Sequence, residues 1–443
     1  MKQFVAAAAV TVVLLHAMPA PAQENRALTL QEAVVLGKKN NKALLASAAK
    51  VDAAVARAGE ARAALLPAVR MQAGYTHLSE VDPFQIMLPI SPTPIQISPI
   101  ILDGYSFRVG VQQPLFAGFR LSSNARAADL LAEASASDRK NDQADLVLTI
   151  TGAYWTLYQT GQTKALMDEN VTRLESYRKD TENLLKSGLA TNNDRLRIEV
   201  QLANARLQQI DAANDVQVAT VQLNNLLGLP LETRISTASQ PGAGGEPASP
   251  AAAPPGQQSV LSRPDLQAMK TRVEASREYV TAAGSGWWPQ VAFAGSYYYA
   301  RPNPRYQPAL DEFRGTWDVG VSLQWDIWTW MTPARQTEQA SAQLRQNELV
   351  FAQMRDNAEV DLTRAQLAVE RARKRITVAE TGVQQSEENV RTLRDKYRNG
   401  LATSTEILDA DLAMLQSKTN LMASRVELEV ASARLTRALG IIE

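Results

Sequence analysis

The sequence predicts a mixed membrane α/β protein: four transmembrane β-strands per chain, given to a barrel that several copies share, and long antiparallel coiled-coil helices. Three observations predict it. The chain opens on an export leader, it contains period-two runs long enough to cross a bilayer, and it contains proline-free heptad segments far longer than a globular core needs. The strand and helix patterns each occur twice, in the same order, so the 443 residues hold an internal two-fold structural repeat.

The leader reads MKQFVAAAAVTVVLLHAMPAPAQ. Lys2 supplies the positive start, residues 4–15 the apolar core, and Ala20-Pro21-Ala22 a small-residue cleavage site before Gln23. A membrane helix needs about 20 apolar residues, so this stretch is a cleaved signal peptide over residues 1–22. No later window approaches that length without charges, and no transmembrane helix is expected in the mature chain. The chain has no cysteine, so it is not expected to be a lipoprotein, and disulfides and thiolate metal sites go too. With 46 basic and 46 acidic residues the net charge is zero, and no basic footprint points to nucleic acid.

The repeat is read from ordered matches. KALLASAAKVDAAVARAGEARAALLP (42–67) aligns without a gap on PDLQAMKTRVEASREYVTAAGSGWWP (264–289), an offset of 222. FRVGVQQPLFAGFR (107–120) answers WDVGVSLQWDIWTW (317–330) at 210, and KSGLAT answers RNGLAT at 212. LNNLLGLP (223–230) is echoed by LTRALGII (435–442). The fall from 222 to 210 puts a twelve-residue deletion in a loop of the second copy. The expected organisation is a first repeat over 23–235, a Pro/Gly/Ala-rich linker over 236–262, and a second repeat over 263–443.

Strands follow from strict alternation. Val69, Met71, Ala73 and Tyr75 oppose Arg70, Gln72, Gly74 and Thr76, and Phe107, Val109 and Val111 oppose Arg108, Gly110 and Gln112. The second copy is stronger, with Val291 to Tyr299 and then Trp317, Val319, Val321, Leu323, Trp325 and Ile327 against Asp318, Gly320, Ser322, Gln324 and Asp326. Runs of about ten residues with aromatic ends fit lipid-facing barrel strands. A half-buried soluble sheet gives the same alternation, so both readings stand on spacing alone. In lipid, four strands cannot close a barrel, so several chains must share one. The proline-rich segments 81–104 and 300–315 are then external loops.

Helices follow from the long proline-free segments, residues 122–186 and 333–399 after an opening proline, each roughly 100 Å if helical. Each is followed by a second stretch of about 40 residues, ending near Leu227 or Leu439. Ile376, Val383, Val390 and Tyr397 recur every seven residues, as do Leu189, Leu196, Ala203 and Ile210, which predicts coiled coils. Gly188 and Gly400 read as C-cap glycines. Thr191 or Asn192, and Thr403 or Ser404, read as the caps of the returning helices. Each Gly-Leu-Ala-Thr is thus a tight turn at the tip of a helical hairpin, either a purely structural turn or a docking point.

Taken in order, LTLQEAVVLGKKNN (28–41), LLPAV (65–69), QPLFAGF (113–119), RPDL (263–266), both tip motifs and ALG (438–440) make the chain resemble the TolC family of outer-membrane efflux proteins. The resemblance spans essentially the whole mature chain. It implies a homotrimer, a twelve-stranded β-barrel in outer-membrane lipid, and a periplasmic α-helical barrel beneath it. It also implies the exit duct of a tripartite multidrug efflux or type I secretion system. The implied partners are a periplasmic membrane-fusion adaptor and, through it, an inner-membrane pump of RND or ABC type. The implied location is the Gram-negative outer membrane, extending into the periplasm.

The resemblance also assigns residues. Adaptors would dock on Gly188, Leu189, Ala190, Thr191 and on Gly400, Leu401, Ala402, Thr403. The periplasmic gate would use Glu406 and Asp409, one helical turn apart, with Asp411 nearby, Asp194 from the first copy, and Tyr397. Where some members carry an arginine that bonds the residue matched by Asp194, this chain has Ala402, so its latch must differ. Three copies of Glu406 and Asp409 around one axis would form a negative ring that attracts cations. On spacing alone the same acids equally complement a helix N-terminus.

No Walker loop, HExxH or Gly-x-Ser-x-Gly is present, and the two histidines are His16 in the leader and His77 at a strand end. No catalytic residue, cofactor or metal site is expected, and the chain is not expected to be an enzyme. The competing reading is a periplasmic coiled-coil scaffold or adaptor without a transmembrane barrel. It requires polar residues on both strand faces, which the Trp317 to Ile327 run contradicts. A self-contained porin would need at least eight strands.

Overall fold

The computed structural model describes residues 26–82, 85–86, 89, 95–96, 99–242 and 260–441. The leader, and residues 243–259 of the expected linker, lie outside them. The described chain divides into two compact units, and each long helix lends one part to each unit.

In chain order the elements are β1 (Arg26–Leu28), α1 (Leu30–Asn40), α2 (Lys42–Ala63), β2 (Ala68–His77), β3 (Gln85–Ile86), β4 (Ile95–Gln96) and β5 (Asp103–Ala117). Then follow α3 (Arg120–Lys186), α4 (Asn192–Leu227), β6 (Ile235–Thr237), α5 (Pro264–Ala283), β7 (Gln290–Arg301), β8 (Arg314–Gln324), α6 (Thr332–Arg398) and α7 (Ser404–Ala438). Both α3 and α6 are 67 residues long, so the two copies match in their longest element.

The unit built from residues 42–148, 248–371 and 431–443 carries the sheet. Four strands pair antiparallel in the order β2-β5-β7-β8, with Val69 opposite Val111, Val109 opposite Tyr297, and Tyr297 opposite Trp317. The register shifts between Pro114 and Phe116, a bulge that accommodates a proline lacking the N–H the ladder needs. The apolar face stands open: Trp317, Val319, Val321 and Leu323 are 68, 64, 65 and 67% exposed. A soluble sheet would cover such a face, whereas lipid requires it. The strand-to-helix turn is the same in both copies, with consecutive left-handed residues at Gly118 and Phe119 (φ 59° and 68°) and at Trp330 and Met331 (φ 54° and 61°). Gly118 is required twice over, because a Cβ there would lie 2.5 Å from the Ser285 carbonyl oxygen.

The other unit, residues 1–41, 149–247 and 372–430, holds both hairpin tips. Its other anchor is a parallel pair, β1 with β6, a feature the sequence pattern does not announce. It takes Ser236 and Thr237 from the start of the expected linker into a strand. Buried Tyr154 ties the pair down, its hydroxyl donating to Leu28 O and accepting from Ser239 N, both at 2.9 Å. Gly228 ends α4 at φ 67°, packed so closely on Asn40 that a Cβ would meet its carbonyl oxygen at 2.7 Å.

The heptads divide. On α6, Val390 and Tyr397 are buried and Ile376, Val383 and Leu393 partly so, as a coil seam should be. On the first copy's side the buried residues are Ile198, Leu202, Ala205, Ala212 and Ala219, while Leu189, Leu196, Ala203 and Ile210 are exposed. The expected seam of the first copy therefore corrects to an open apolar face. The physical reason is that α4 carries apolar residues on two sides, and a repeat of seven does not say which side meets its own chain.

Candidate functional site

At each tip the four letters Gly-Leu-Ala-Thr have separate physical tasks. Gly188 and Gly400 take the left-handed conformation, φ 77° and 71°, that closes α3 and α6. The N–H of Gly188 bonds Leu185 O at 3.1 Å and that of Leu189 bonds Leu184 O at 2.9 Å. In the second tip Gly400 bonds Tyr397 O at 3.0 Å and Leu401 bonds Lys396 O at 2.8 Å, the same Schellman geometry. The leucines point outward, Leu189 64% and Leu401 76% exposed. Ala190 and Ala402 pack against the core between the helices.

The threonines cap the returning helices in reciprocal capping boxes. Asp194 Oδ2 accepts from Thr191 N (2.9 Å) and Oγ1 (2.7 Å), and Thr191 Oγ1 accepts from Asp194 N (3.2 Å). Glu406 Oε2 accepts from Thr403 N (2.7 Å) and Oγ1 (2.9 Å), and Thr403 Oγ1 accepts from Glu406 N (3.3 Å). Asn192 and Ser404, the other cap candidates, are the first helical residues instead. The backbone N–H of Thr403, and then its hydroxyl, hold the Glu406 carboxyl below its ordinary value. Asp194 is held down in the same way, first by Ser404 and then by Thr191.

The two tips are stitched together. Ser404 Oγ donates to Asp194 Oδ1 at 2.6 Å, Arg197 donates to Thr405 Oγ1, and Leu189 lies beside Gly400. Without an arginine at position 402, a serine one residue past the cap engages Asp194. Between the helices lie Val171, Leu174, Tyr177 and Leu184 of α3, Ile198 and Leu202 of α4, Tyr397 of α6, and Ile407 and Leu408 of α7.

The expected gate residues do not form one cluster. Glu406 and Asp409 are exposed on one face of α7, and among the described residues Asp409 has no bonded partner. Tyr397 is buried, its hydroxyl 2.5 Å from Thr181 Oγ1, and burial raises its pKa. Asp411 faces inward and accepts from Arg173 Nε at 2.8 Å and, more weakly, from Tyr177 OH at 3.4 Å. Burial, and then the Asp411 charge, push the Tyr177 hydroxyl well up. Thr181, Arg173 and Tyr177 are invisible to motif reading, since they sit far along α3 and only helix pairing brings them to α6 and α7.

Comparison with known proteins meets this geometry directly. The outer membrane efflux protein family matches residues 34–229 and 256–441, one segment for each copy of the repeat. The chain belongs to the outer membrane efflux protein family. Among curated relatives, the outer membrane efflux protein BepC of Brucella suis biovar 1 (strain 1330) is 24% identical over 341 residues, covering 75% of this chain and 72% of that one. The solved structure of CusC, described in terms of folding and transmembrane channel formation, superposes with a TM-score of 0.81 at 16% identity, covering 96% of this chain and 97% of that one. The outer membrane protein VceC of Vibrio cholerae gives 0.77 at 17% identity, covering 93% and 96%. As an outer membrane efflux protein the chain serves as an outer-membrane exit duct of efflux systems. The soluble scaffold reading falls with this membership and with the open apolar sheet face. Among the described residues no helix is long and apolar enough to cross a membrane.

Proposed function

We propose that three copies of this chain close one twelve-stranded barrel in the outer membrane, and that their helical hairpins form a periplasmic tube. Through it, substrates pass from an inner-membrane pump of RND or ABC type by way of a membrane-fusion adaptor. The observation that carries this is the sheet itself: among the described residues β2 and β8 are edges, each with a single neighbour, on a sheet whose apolar face is exposed. In lipid an open edge leaves backbone groups without partners, so neighbouring copies must supply the missing strands. The exposed apolar seam of α4, with Leu196, Val200, Leu207 and Ile210, gives the hairpins a face of their own for the same assembly.

Within this duct the exposed leucines of the tips are the adaptor-docking points, framed by Gly188, Ala190 and Thr191 and by Gly400, Ala402 and Thr403. Glu406 and Asp409 form the gate ring, while Asp194 and Tyr397 act behind it by holding the two tips together. Transport needs no chemistry from the duct, since the pump supplies the energy. The test is conductance in planar bilayers. Glu406→Gln with Asp409→Asn should raise single-channel conductance or relieve block by multivalent cations, and unchanged conductance and block would remove both residues from the gate.

A further inference from the structure

We propose that the barrel section of the duct prefers anions to cations, and that Arg70 and Arg108 set this preference. The proposal rests on the shared-barrel reading, in which the apolar face of the sheet meets lipid and the other face lines a water-filled lumen.

Strand register fixes which residues share that other face. Arg70, Gly110, Ser296 and Asp318 stand in one row across β2, β5, β7 and β8, and Gln72, Arg108, Tyr298 and Thr316 form the next. Both rows alternate with the exposed apolar residues Val69, Met71, Val109 and Val319, so they lie together on the polar side.

The charges there do not cancel. Asp318 is the single acid on the polar side of the four strands. Arg305 lies 3.7 Å from it, and Arg108 reaches it through Ser296, whose hydroxyl accepts from Arg108 Nη2 at 3.1 Å and donates to Asp318 Oδ1 at 2.8 Å. Arg70 forms no ion pair among the described residues, and its Nη1 has only Gln112 Oε1 at 3.5 Å. Arg314, at the loop end of β8, is balanced by Glu312, with Nε 2.8 Å from Oε1. Arg70, Arg108 and Arg305 against Asp318 therefore leave two positive charges in excess on each chain.

The same sign continues where the strands run into the helices. A cleft of about 470 Å³ on the polar side is lined by Arg70 and Arg120 with Gln112, Gln290, Ser322 and Gln324, and by no carboxylate. Arg120 opens α3, the end at which a helix dipole disfavours a cation, and no acid in the first turn offsets it. Edge protection accounts for part of the pattern and no more. An arginine on the edge strand β2 discourages stray pairing, but Arg108 lies on β5, which is paired on both sides. With three copies around one lumen, low-dielectric walls focus the excess charge and raise the local concentration of anions. The Glu406 and Asp409 carboxylates of the tips have the opposite effect.

The test is the chloride-to-potassium permeability ratio, from reversal potentials of the full-length protein in planar bilayers under a potassium chloride gradient. The parent carries Glu406→Gln with Asp409→Asn, so that the tip carboxylates do not set the ratio. A parent ratio above unity is expected. Arg70→Gln with Arg108→Gln should lower it roughly threefold or more, below the tenfold and larger enrichments that focused fields produce. Asp318→Asn should raise it, and this near-isosteric change tests the sign of the field even where the double substitution hinders assembly. Both shifts should shrink as salt rises from about 0.1 M to about 1 M, because the screening length falls from about 10 Å to about 3 Å. A conducting channel with a parent ratio at or below unity, or with a ratio that neither substitution moves, overturns the proposal and leaves the shared barrel standing. Protein that forms no channel overturns the barrel reading and this proposal with it.

Discussion

The two hairpin tips share a turn and differ in what they show to their surroundings. Both use the same Schellman closure, the same outward leucine and the same capping box. Beyond the cap they part. With the offset of 212, Arg197 of the first copy stands where the second has Asp409, and Val200 where it has Leu412. The open face of α4 continues apolar through Leu207 and Ile210, while that of α7 carries Glu406, Asp409, Gln416 and Asn420. The inward position differs as well: Asp411 is buried against Arg173, whereas its counterpart Glu199 makes a half-exposed pair with Arg195. The repeat thus holds the folding instructions constant and assigns different duties through the faces a helix does not bury against its own chain.

The comparison can be broken most severely at what the tips have in common. Charging both exposed leucines, Leu189→Arg with Leu401→Arg, should abolish export while the local stability of the tip helices changes by less than about 0.5 kcal/mol, the usual range for surface substitutions. Export assays paired with hydrogen exchange check this, and export surviving intact would deny the tips a docking role.

Next in size is the asymmetry of the inward acids. Asp411→Ala removes the buried carboxylate that holds Arg173 Nε, leaving the guanidinium only Glu169 at 2.7 Å, and should lower the opening free energy of the tip helices by about 1–3 kcal/mol. Glu199→Ala removes an exposed pair and should cost about 0–1 kcal/mol. Hydrogen exchange on the two variants decides it, and equal effects would mean that the two copies are packed alike.

The smallest effect concerns the caps. Thr191→Ala should cost about 1 kcal/mol. Because the folded tips hold the Asp194 and Glu406 carboxyls below their ordinary values of 3.8 and 4.5, the bonds stabilise fully above that range. They are lost as pH falls through the depressed folded values. Tip protection should therefore be flat at neutral pH and decline only at acid pH below the ordinary carboxylate range. Asp194→Asn should remove the first tip's share of that decline, and a decline that starts near neutrality would contradict the assignment.

Much of this was legible because local rules and the fold agreed. Gly188, Thr191, Gly400 and Thr403 announce turn and cap by residue type, and alternation from Trp317 to Leu323 announces both a strand and its lipid face, although the same alternation runs on through Trp325 and Ile327, past the strand's end at Gln324. What was not legible depends on pairing between distant segments. The seven-residue run through Leu196 and Ile210 could not say whether it meets its own chain or another, and the structure leaves it open. The Thr181 bond to Tyr397 joins residues 216 apart. The β1–β6 pair was hidden for a related reason, since three residues are too few to show a period.

The measurement that bears most directly on the shared barrel is the mass of the protein solubilised from outer membranes, by light scattering corrected for bound detergent. Three chains in one particle are predicted, because a four-stranded sheet with two open edges and an exposed apolar face needs neighbours to close it in lipid. A single chain that stays in solution without detergent would contradict the account.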